Sequence, residues 1–342
     1  MAEIRNWRNQ DRVWLKDVIP LDTPFTVNIE ASSLCNARCV YCVRSSDRDA
    51  STDRNMPMDL FKKVLHDLKG FSKKIKLIDM YNSGEPLCNP NLPEMISEVK
   101  KSKVSESVGF TTNALLFDYE KIDKIIDSGV DVIRISLQGL NSKRYKDICG
   151  VNIDFDKFVQ TLTYLYKRRG NCKIRMKIAD IALRDEKDRI IFEKIFGGIA
   201  DSIAIETIVP MYQGVDYANV DDRINNRSIN GRNGESHAIQ NVCYRPFIKI
   251  GVRTNGKITA SCCDFENDII YGDAYQDNIV DIWNGLKRRE FLIMQLKGER
   301  YKYLSCKNCM TPQDVTNDRD MLDSFAEGLL KRFQKNYGDE HG

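Results

Sequence analysis

The chain has 342 residues, 42% hydrophobic and 30% charged with only 9 prolines, so it can bury one large core or two unequal ones and is neither a disulfide miniprotein nor a disordered chain. Fifty-two basic residues against 49 acidic ones leave +3 at neutral pH, too little charge for a counterion-driven nucleic-acid surface. No apolar run approaches the roughly 20 residues of a membrane helix, and Met1 to Asp11 is polar where a secretory signal would be apolar, so the expectation is a cytoplasmic protein with neither a nucleic-acid nor a membrane partner.

Residues 1–23 read as an N-terminal extension. From residue 24 to 209, short β-branched runs alternate with amphipathic segments, the pattern of a parallel sheet built from βα units. Six strands are predicted, over residues 26–31, 76–82, 108–113, 132–138, 172–180 and 202–209. Helical periodicity appears between them at Leu60, Phe61, Val64, Leu65 and Leu68, at Ile122, Ile125 and Ile126, and at Phe158, Val159, Leu162 and Leu165. Gly70, Gly129 and Gly170 stand where left-handed helix caps belong. Six units in about 180 residues suit an α/β fold of the partial (β/α)6 TIM-like barrel kind, since a full eightfold barrel takes about 250, and they place active residues at the C-terminal strand ends. Residues 210–242 are polar and aperiodic and read as a linker. Beyond them a hairpin turns at Arg253 to Gly256, followed by a helix over 279–296, a C-x2-C pair, and an amphipathic helix over 318–333. The boundary falls between a unit of residues 243–316 and a C-terminal helix and tail, 317–342.

The eleven cysteines cluster at opposite ends of the chain, and in a reducing compartment they point to metal or redox chemistry. Cys35, Cys39 and Cys42 follow the first strand in the spacing C-x3-C-x2-C. Three thiolates on one loop hold three corners of a [4Fe-4S] cluster and leave the fourth iron open, whereas structural zinc takes four closed ligands. This loop, with Tyr41 before its last cysteine, resembles the motif of radical S-adenosylmethionine (SAM) enzymes. Ser83-Gly84-Glu85-Pro86, at the end of the second strand, resembles the GGEP motif that holds the SAM amino group in that family, with Ser83 in place of the first glycine. A Gly-Glu-Pro turn is expected to bring backbone close to the ligand and to face its ammonium with carbonyl and carboxylate oxygens. Thr112-Asn113 and Ser136-Leu137-Gln138 resemble the family's ribose and carboxylate contacts, and Arg175 and Lys177 on the fifth strand are the candidates to meet the SAM carboxylate, with a solvated basic pair as the alternative. The resemblance implies reductive cleavage of SAM to a 5'-deoxyadenosyl radical that abstracts a substrate hydrogen, with a flavodoxin- or ferredoxin-type electron donor.

Cys243, Cys262, Cys263, Cys306 and Cys309 form the second group. Their order resembles the SPASM and twitch extensions of radical SAM enzymes, which hold auxiliary iron–sulfur clusters on a hairpin and a short helix. Five cysteines are fewer than the seven or eight of the fuller SPASM form, so the resemblance implies a twitch-like subdomain with one auxiliary [4Fe-4S] cluster on Cys243, Cys306, Cys309 and either Cys262, which is favoured, or Cys263. A four-cysteine zinc ribbon is the alternative. Cys88, Cys149 and Cys172 read as small apolar fillers.

A cluster ligated by four thiolates has no iron for substrate and would serve as an electron conduit. That favours a net oxidation, dehydrogenation of a sugar, polyol or aminocyclitol alcohol, as in the twitch-type aminocyclitol dehydrogenases. Two alternatives stay open: a peptide-modifying enzyme that forms crosslinks or epimerises residues, and a non-catalytic iron–sulfur or zinc protein. The substrate class is thus a small molecule or a peptide, and the catalytic base is not assigned.

Overall fold

The computed structural model describes residues 12–45, 53–210, 212, 214–225, 238–260, 264, 268–307, 309–315 and 317–338. Its strands are β1 (Thr26–Ile29), β2 (Ile75–Asp79), β3 (Ser105–Thr112), β4 (Val132–Leu137), β5 (Lys173–Ala179), β6 (Ser202–Glu206), β7 (Lys249–Val252), β8 (Lys257–Thr259) and β9 (Ile270–Asp273). They form one open sheet in the order β6-β5-β4-β3-β2-β1-β7-β8-β9. The first six strands run parallel, each pairing with its sequence neighbour, as βα units require. Val27, Ile29, Ile78, Val108, Ile133, Ile135, Ile174 and Ile178 are fully buried, which is why these strands read as apolar runs.

The helices Met58–Leu68, Tyr119–Asp127 and Phe155–Arg168 bury the faces their periodicity predicts. Three further helices, Leu92–Ser102, Ser142–Cys149 and Glu186–Phe196, complete the outer layer. Asp118, Asn141, Asp154 and Asp185 cap helix N-termini by accepting a backbone N–H three residues on. Gly129 and Gly170 take the left-handed φ expected of them, +85° and +54°. Gly70 does not: its N–H closes a tight turn onto the Asp67 carbonyl (2.9 Å), and the helix ends without a left-handed residue.

The C-terminal hairpin extends the barrel sheet. Strand β7 pairs parallel to β1 over four residues, and β8 and β9 add antiparallel beyond it. Gly256, at φ +84°, closes the turn expected between Arg253 and Gly256. The single helix expected over 279–296 is two, Ile279–Asn284 and Leu286–Leu296, broken where Gly285 leaves helical space at ψ 159°. Trp283 is buried, donates from its indole N–H to the Leu21 carbonyl (2.7 Å), and stacks beneath Arg288 at 3.3 Å. The last helix runs Ala326–Gly338, later than the sequence suggested, because residues 318–325 form two short 3-10 turns. Within the linker, a 3-10 turn Tyr217–Asn219 and a short helix Asp222–Asn225 are present.

Candidate active site and auxiliary cysteine site

The loop carrying Cys35, Cys39 and Cys42 leaves β1 and is fastened on two sides. Arg38 N–H and Val40 N–H donate to the carbonyls of Cys149 (3.0 Å) and Ile148 (2.9 Å), at the end of helix Ser142–Cys149. Cys42 N–H donates to the Cys39 carbonyl (2.9 Å), and the Ser45 hydroxyl and N–H both reach the Cys42 carbonyl at 2.8 Å. The Cys39 thiol is pushed well up from its usual pKa, first by burial and then by the neighbouring sulfurs of Cys42, Cys149 and Cys35. The three sulfurs therefore share one electrostatic neighbourhood. Among the described residues, no three Cys, His or carboxylate groups converge as a single ion would require; a four-iron cluster needs its thiolates more widely spaced, and three half-buried thiols on a tied loop suit its donor chemistry.

Gly84 is confined by that same loop. A Cβ there would lie 2.3 Å from the Ser32 carbonyl oxygen and 2.6 Å from that of Leu34, and Glu85 N–H donates to the Leu34 carbonyl at 2.7 Å. The close approach that needs glycine is thus to the chain entering the cysteine loop, not to open space. The Glu85 carboxylate is 3% exposed and accepts from the Thr112 hydroxyl (2.6 Å), Asn113 N–H (2.7 Å) and Leu87 N–H (3.2 Å), so it clamps the ends of β2 and β3 together. Pro86 opens the 3-10 turn Pro86–Cys88 that Glu85 caps. Ser83, where the family has glycine, donates from its hydroxyl to buried Glu30 at 2.5 Å. Asn113 donates to Asn36 in the cysteine loop (2.8 Å).

Tyr41, Ser136 and Lys177 do meet, with Cys42, around one cavity of about 180 Å³ that Tyr81, Asn82, Glu206 and Arg245 also line. Tyr41 donates to Gln138 at 2.5 Å, and Gln138 in turn donates to the Ser136 carbonyl (3.3 Å). Lys177 is ion-paired with Glu206 at 2.7 Å, both largely buried. Glu206 was not singled out from the sequence, although an acid at the last position of the Ser202–Glu206 strand is a readable signal for a barrel. Ser83, Gly84, Glu85, Pro86, Asn113 and Gln138 are not among the residues lining this cavity, and Gln138 meets it through its hydrogen bond with Tyr41.

In the C-terminal region, Cys243, Cys306 and Cys309 all line a second, small cavity of about 30 Å³, together with Ala260, Asp264, Gln295 and Arg300. Gln295 joins two of them, accepting from Cys243 N–H (3.3 Å) and donating toward the Cys306 sulfur (3.7 Å). Burial raises the Cys243 thiol to about 11 and Cys306 higher still. Thr311 holds the Cys309 sulfur from two sides, with its N–H at 3.4 Å and its hydroxyl at 3.0 Å. Cys262 and Cys263 lie outside the described residues, but their described flanks, Ala260 and Asp264, line this cavity.

A buried polar chain that the sequence reading missed connects the two regions. Glu30, at the end of β1, accepts from Ser83, from Arg253 (3.4 Å) and from Thr254 N–H (3.2 Å). Arg253 also donates to the Asp264 carbonyl, and the Asp264 carboxylate accepts from the Ser305 hydroxyl (2.9 Å), next to Cys306.

A partial parallel barrel with a three-cysteine loop after β1 and a Gly-Glu-Pro turn after β2 defines the radical SAM class of domains. Residues 29–178 match the radical SAM superfamily and residues 243–310 an iron–sulfur cluster-binding domain, SPASM. The chain is a radical SAM superfamily enzyme with a C-terminal SPASM-type domain. The first match implies SAM and a [4Fe-4S] cluster, and the second implies auxiliary iron–sulfur binding. Among curated proteins it is similar to GTP 3',8-cyclase of Chlorobaculum tepidum, 29% identical over 46% of this chain and 45% of that protein. The matched segment thus spans less than half of that relative's length. Among solved structures it resembles Streptococcus suis SuiB bound to S-adenosylmethionine (16% identical, TM-score 0.62, 88% of this chain and 74% of that one). It also resembles BtrN in complex with AdoMet and 2-DOIA (17% identical, TM-score 0.53, 83% and 92%). No helix among the described residues is long and apolar enough to cross a membrane.

Proposed function

We propose that the protein removes hydrogen from a carbinol carbon of a small polar substrate held in the barrel cavity, in a net two-electron oxidation. The observation that carries this reading is the convergence of Cys243, Cys306 and Cys309 on one cavity flanked by Ala260 and Asp264. With Cys262 or Cys263 as fourth ligand, this set would hold one auxiliary [4Fe-4S] cluster with no iron left for substrate. When bound, SAM and the two clusters supply the hard chemistry: hydrogen abstraction by a 5'-deoxyadenosyl radical at one end and an acceptor for the substrate's remaining electron at the other.

The chain's own residues position and protect. Tyr41 and Ser136 wall the cavity beside Cys42, and Tyr41 is fixed there by Gln138 and by Tyr217, whose hydroxyl donates to the Tyr41 carbonyl (3.2 Å). Glu206 contributes the only carboxylate among the described residues lining this cavity. It is placed to take the hydroxyl proton as the carbonyl forms, with Lys177 paired to it at 2.7 Å. The atoms balance: one hydrogen leaves carbon for 5'-deoxyadenosine, one proton goes to Glu206, and one electron to the acceptor.

Likeness to a GTP 3',8-cyclase supports a second reading, ring closure on a nucleotide. The deciding experiment is mass spectrometry with a substrate deuterated at the carbinol carbon. The proposal expects a product lighter by two hydrogens, a new carbonyl, and deuterium in 5'-deoxyadenosine, with Glu206→Gln slowing product formation by about 10²-fold or more. A product of unchanged mass, or a crosslinked peptide without a carbonyl, would refute it.

A further inference from the structure

The cavity beside Tyr41 continues into a larger one of about 410 Å³, with Tyr81, Lys177, Glu206 and Arg245 forming shared walls. Seven basic side chains line this deeper part against three acidic ones. Each acid already has a basic partner: Asp79 pairs with Arg134 at 2.9 Å, Glu206 with Lys177 at 2.7 Å, and Asp320 with Arg12. Among the described lining residues, the basic groups outnumber the acids by four, and Arg175, Lys249 and Lys76 belong to none of these three pairs. Lys76 lies over the Phe25 ring at 4.1 Å, and Arg245 is buried.

Arg175 stands out. It lies directly across from Arg134 in the β4–β5 register, so two guanidinium groups stand side by side on the same wall. Arg134 has Asp79; Arg175 makes no hydrogen bond or ion pair with another described residue. A guanidinium presents five donors and no acceptor, and drawing it partly out of water beside a like charge is unfavourable unless an anion meets it. Burial first and then the Arg134 charge push the Arg175 pKa down, and the Asp201 carboxylate offsets only part of this. Arg175 sits two residues deeper along β5 than Lys177, about 7 Å at strand spacing. A group bound to it would therefore lie a small molecule's length from the Tyr41 and Cys42 end.

We infer that the substrate carries an oxyanion, a phosphate or a carboxylate, and that Arg175 is the residue that binds it in the lower cavity. This deepens the proposed function and rests on its reading of the cavity as the substrate site. It also argues against an aminocyclitol, because a substrate ammonium would face uncompensated positive charge.

The test uses the full chain, anaerobically loaded with clusters and SAM, and calorimetric titration with inorganic phosphate in one arm and acetate in the other. Wild-type protein should bind at least one saturably; tighter phosphate indicates a phosphorylated substrate, and tighter acetate a carboxylated one. Arg175→Gln should weaken that binding about 10- to 100-fold, the range for a charge-assisted pair. Arg175→Lys should recover part of it, and the exposed control Arg189→Gln should change nothing. SAM affinity, measured in the same variants, should hold at the wild-type value. Equal anion binding in wild type and Arg175→Gln, binding of neither anion by wild type, or weakened SAM binding with anion binding intact would overturn the inference. Formation of 5'-deoxyadenosine from SAM alone is scored separately. Its absence beside intact, Arg175-dependent anion binding would refute the radical chemistry and leave the anion site standing.

Discussion

Arg253→Met tests whether the C-terminal domain is tied to the SAM-side loops through charge. Arg253 and Glu30 are 7% and 3% exposed and 3.4 Å apart. Removing the guanidinium leaves Glu30 buried with three remaining donors, the Ser83 hydroxyl and the N–H groups of Ser83 and Thr254. Breaking a buried pair costs about 3–5 kcal/mol when the orphaned charge has no other help. With three donors retained, the expected loss is about 3 kcal/mol. The double variant Glu30→Gln with Arg253→Met should recover part of it, because no charge is left unpaired. Anaerobic unfolding of Arg253→Met, Glu30→Gln and the double variant gives the cycle, and SAM titration gives the second readout, since Ser83 loses its fixed partner when Glu30 relaxes. A loss below about 0.5 kcal/mol in Arg253→Met, with unchanged SAM affinity, would refute the idea that this pair couples the two regions.

Burial raises the Glu85 carboxyl from its usual 4.5 to about 7, against the pull of its three hydrogen-bond donors and of Lys121. A raised folded-state pKa means the folded chain binds more protons than the unfolded one, so this contribution is complete below about pH 4.5 and is lost as pH rises through about 7. The wild type should therefore lose more stability between pH 5 and 8 than Glu85→Gln does; parallel pH profiles would contradict this. Gly84→Ala places a methyl into backbone carbonyls at 2.3 and 2.6 Å, which no side-chain rotation relieves. It should destabilise by about 1–3 kcal/mol and weaken cluster retention on the cysteine loop, read by iron content after gel filtration; a variant that keeps wild-type iron and stability would show that the loop can yield.

Much of the barrel could be read in the sequence because its strands set buried β-branched and apolar residues at alternate positions, as in Val132–Leu137 and Lys173–Ala179, with Arg134, Ser136, Arg175 and Lys177 between them lining the cavities. Their ends were less legible. Strands 26–31, 76–82 and 202–209 stop at Ile29, Asp79 and Glu206 because the residues beyond turn away to build the site. The cysteine loop and the Gly-Glu-Pro turn were legible as local spacings. What the turn does was not: the donors that hold Glu85 sit at Thr112 and Asn113, and the carbonyls that require glycine at position 84 belong to Ser32 and Leu34. The Glu30–Arg253 pair spans 223 positions, and the parallel pairing of β7 with β1 that creates it leaves no local trace. Gly285 was read through as helix because a single glycine within periodic sequence is usually tolerated.

The central claim is that the Cys35, Cys39 and Cys42 loop holds the cluster that cleaves SAM, while the Cys243, Cys306 and Cys309 cavity holds a separate one. The most direct measurement is anaerobic reconstitution of the Cys35→Ala, Cys39→Ala, Cys42→Ala triple variant, followed by iron analysis and a reductive SAM-cleavage assay. The account predicts about eight irons in the wild type and about four in the variant, with no 5'-deoxyadenosine formed by the variant. Formation of 5'-deoxyadenosine by the variant at the wild-type rate would contradict it.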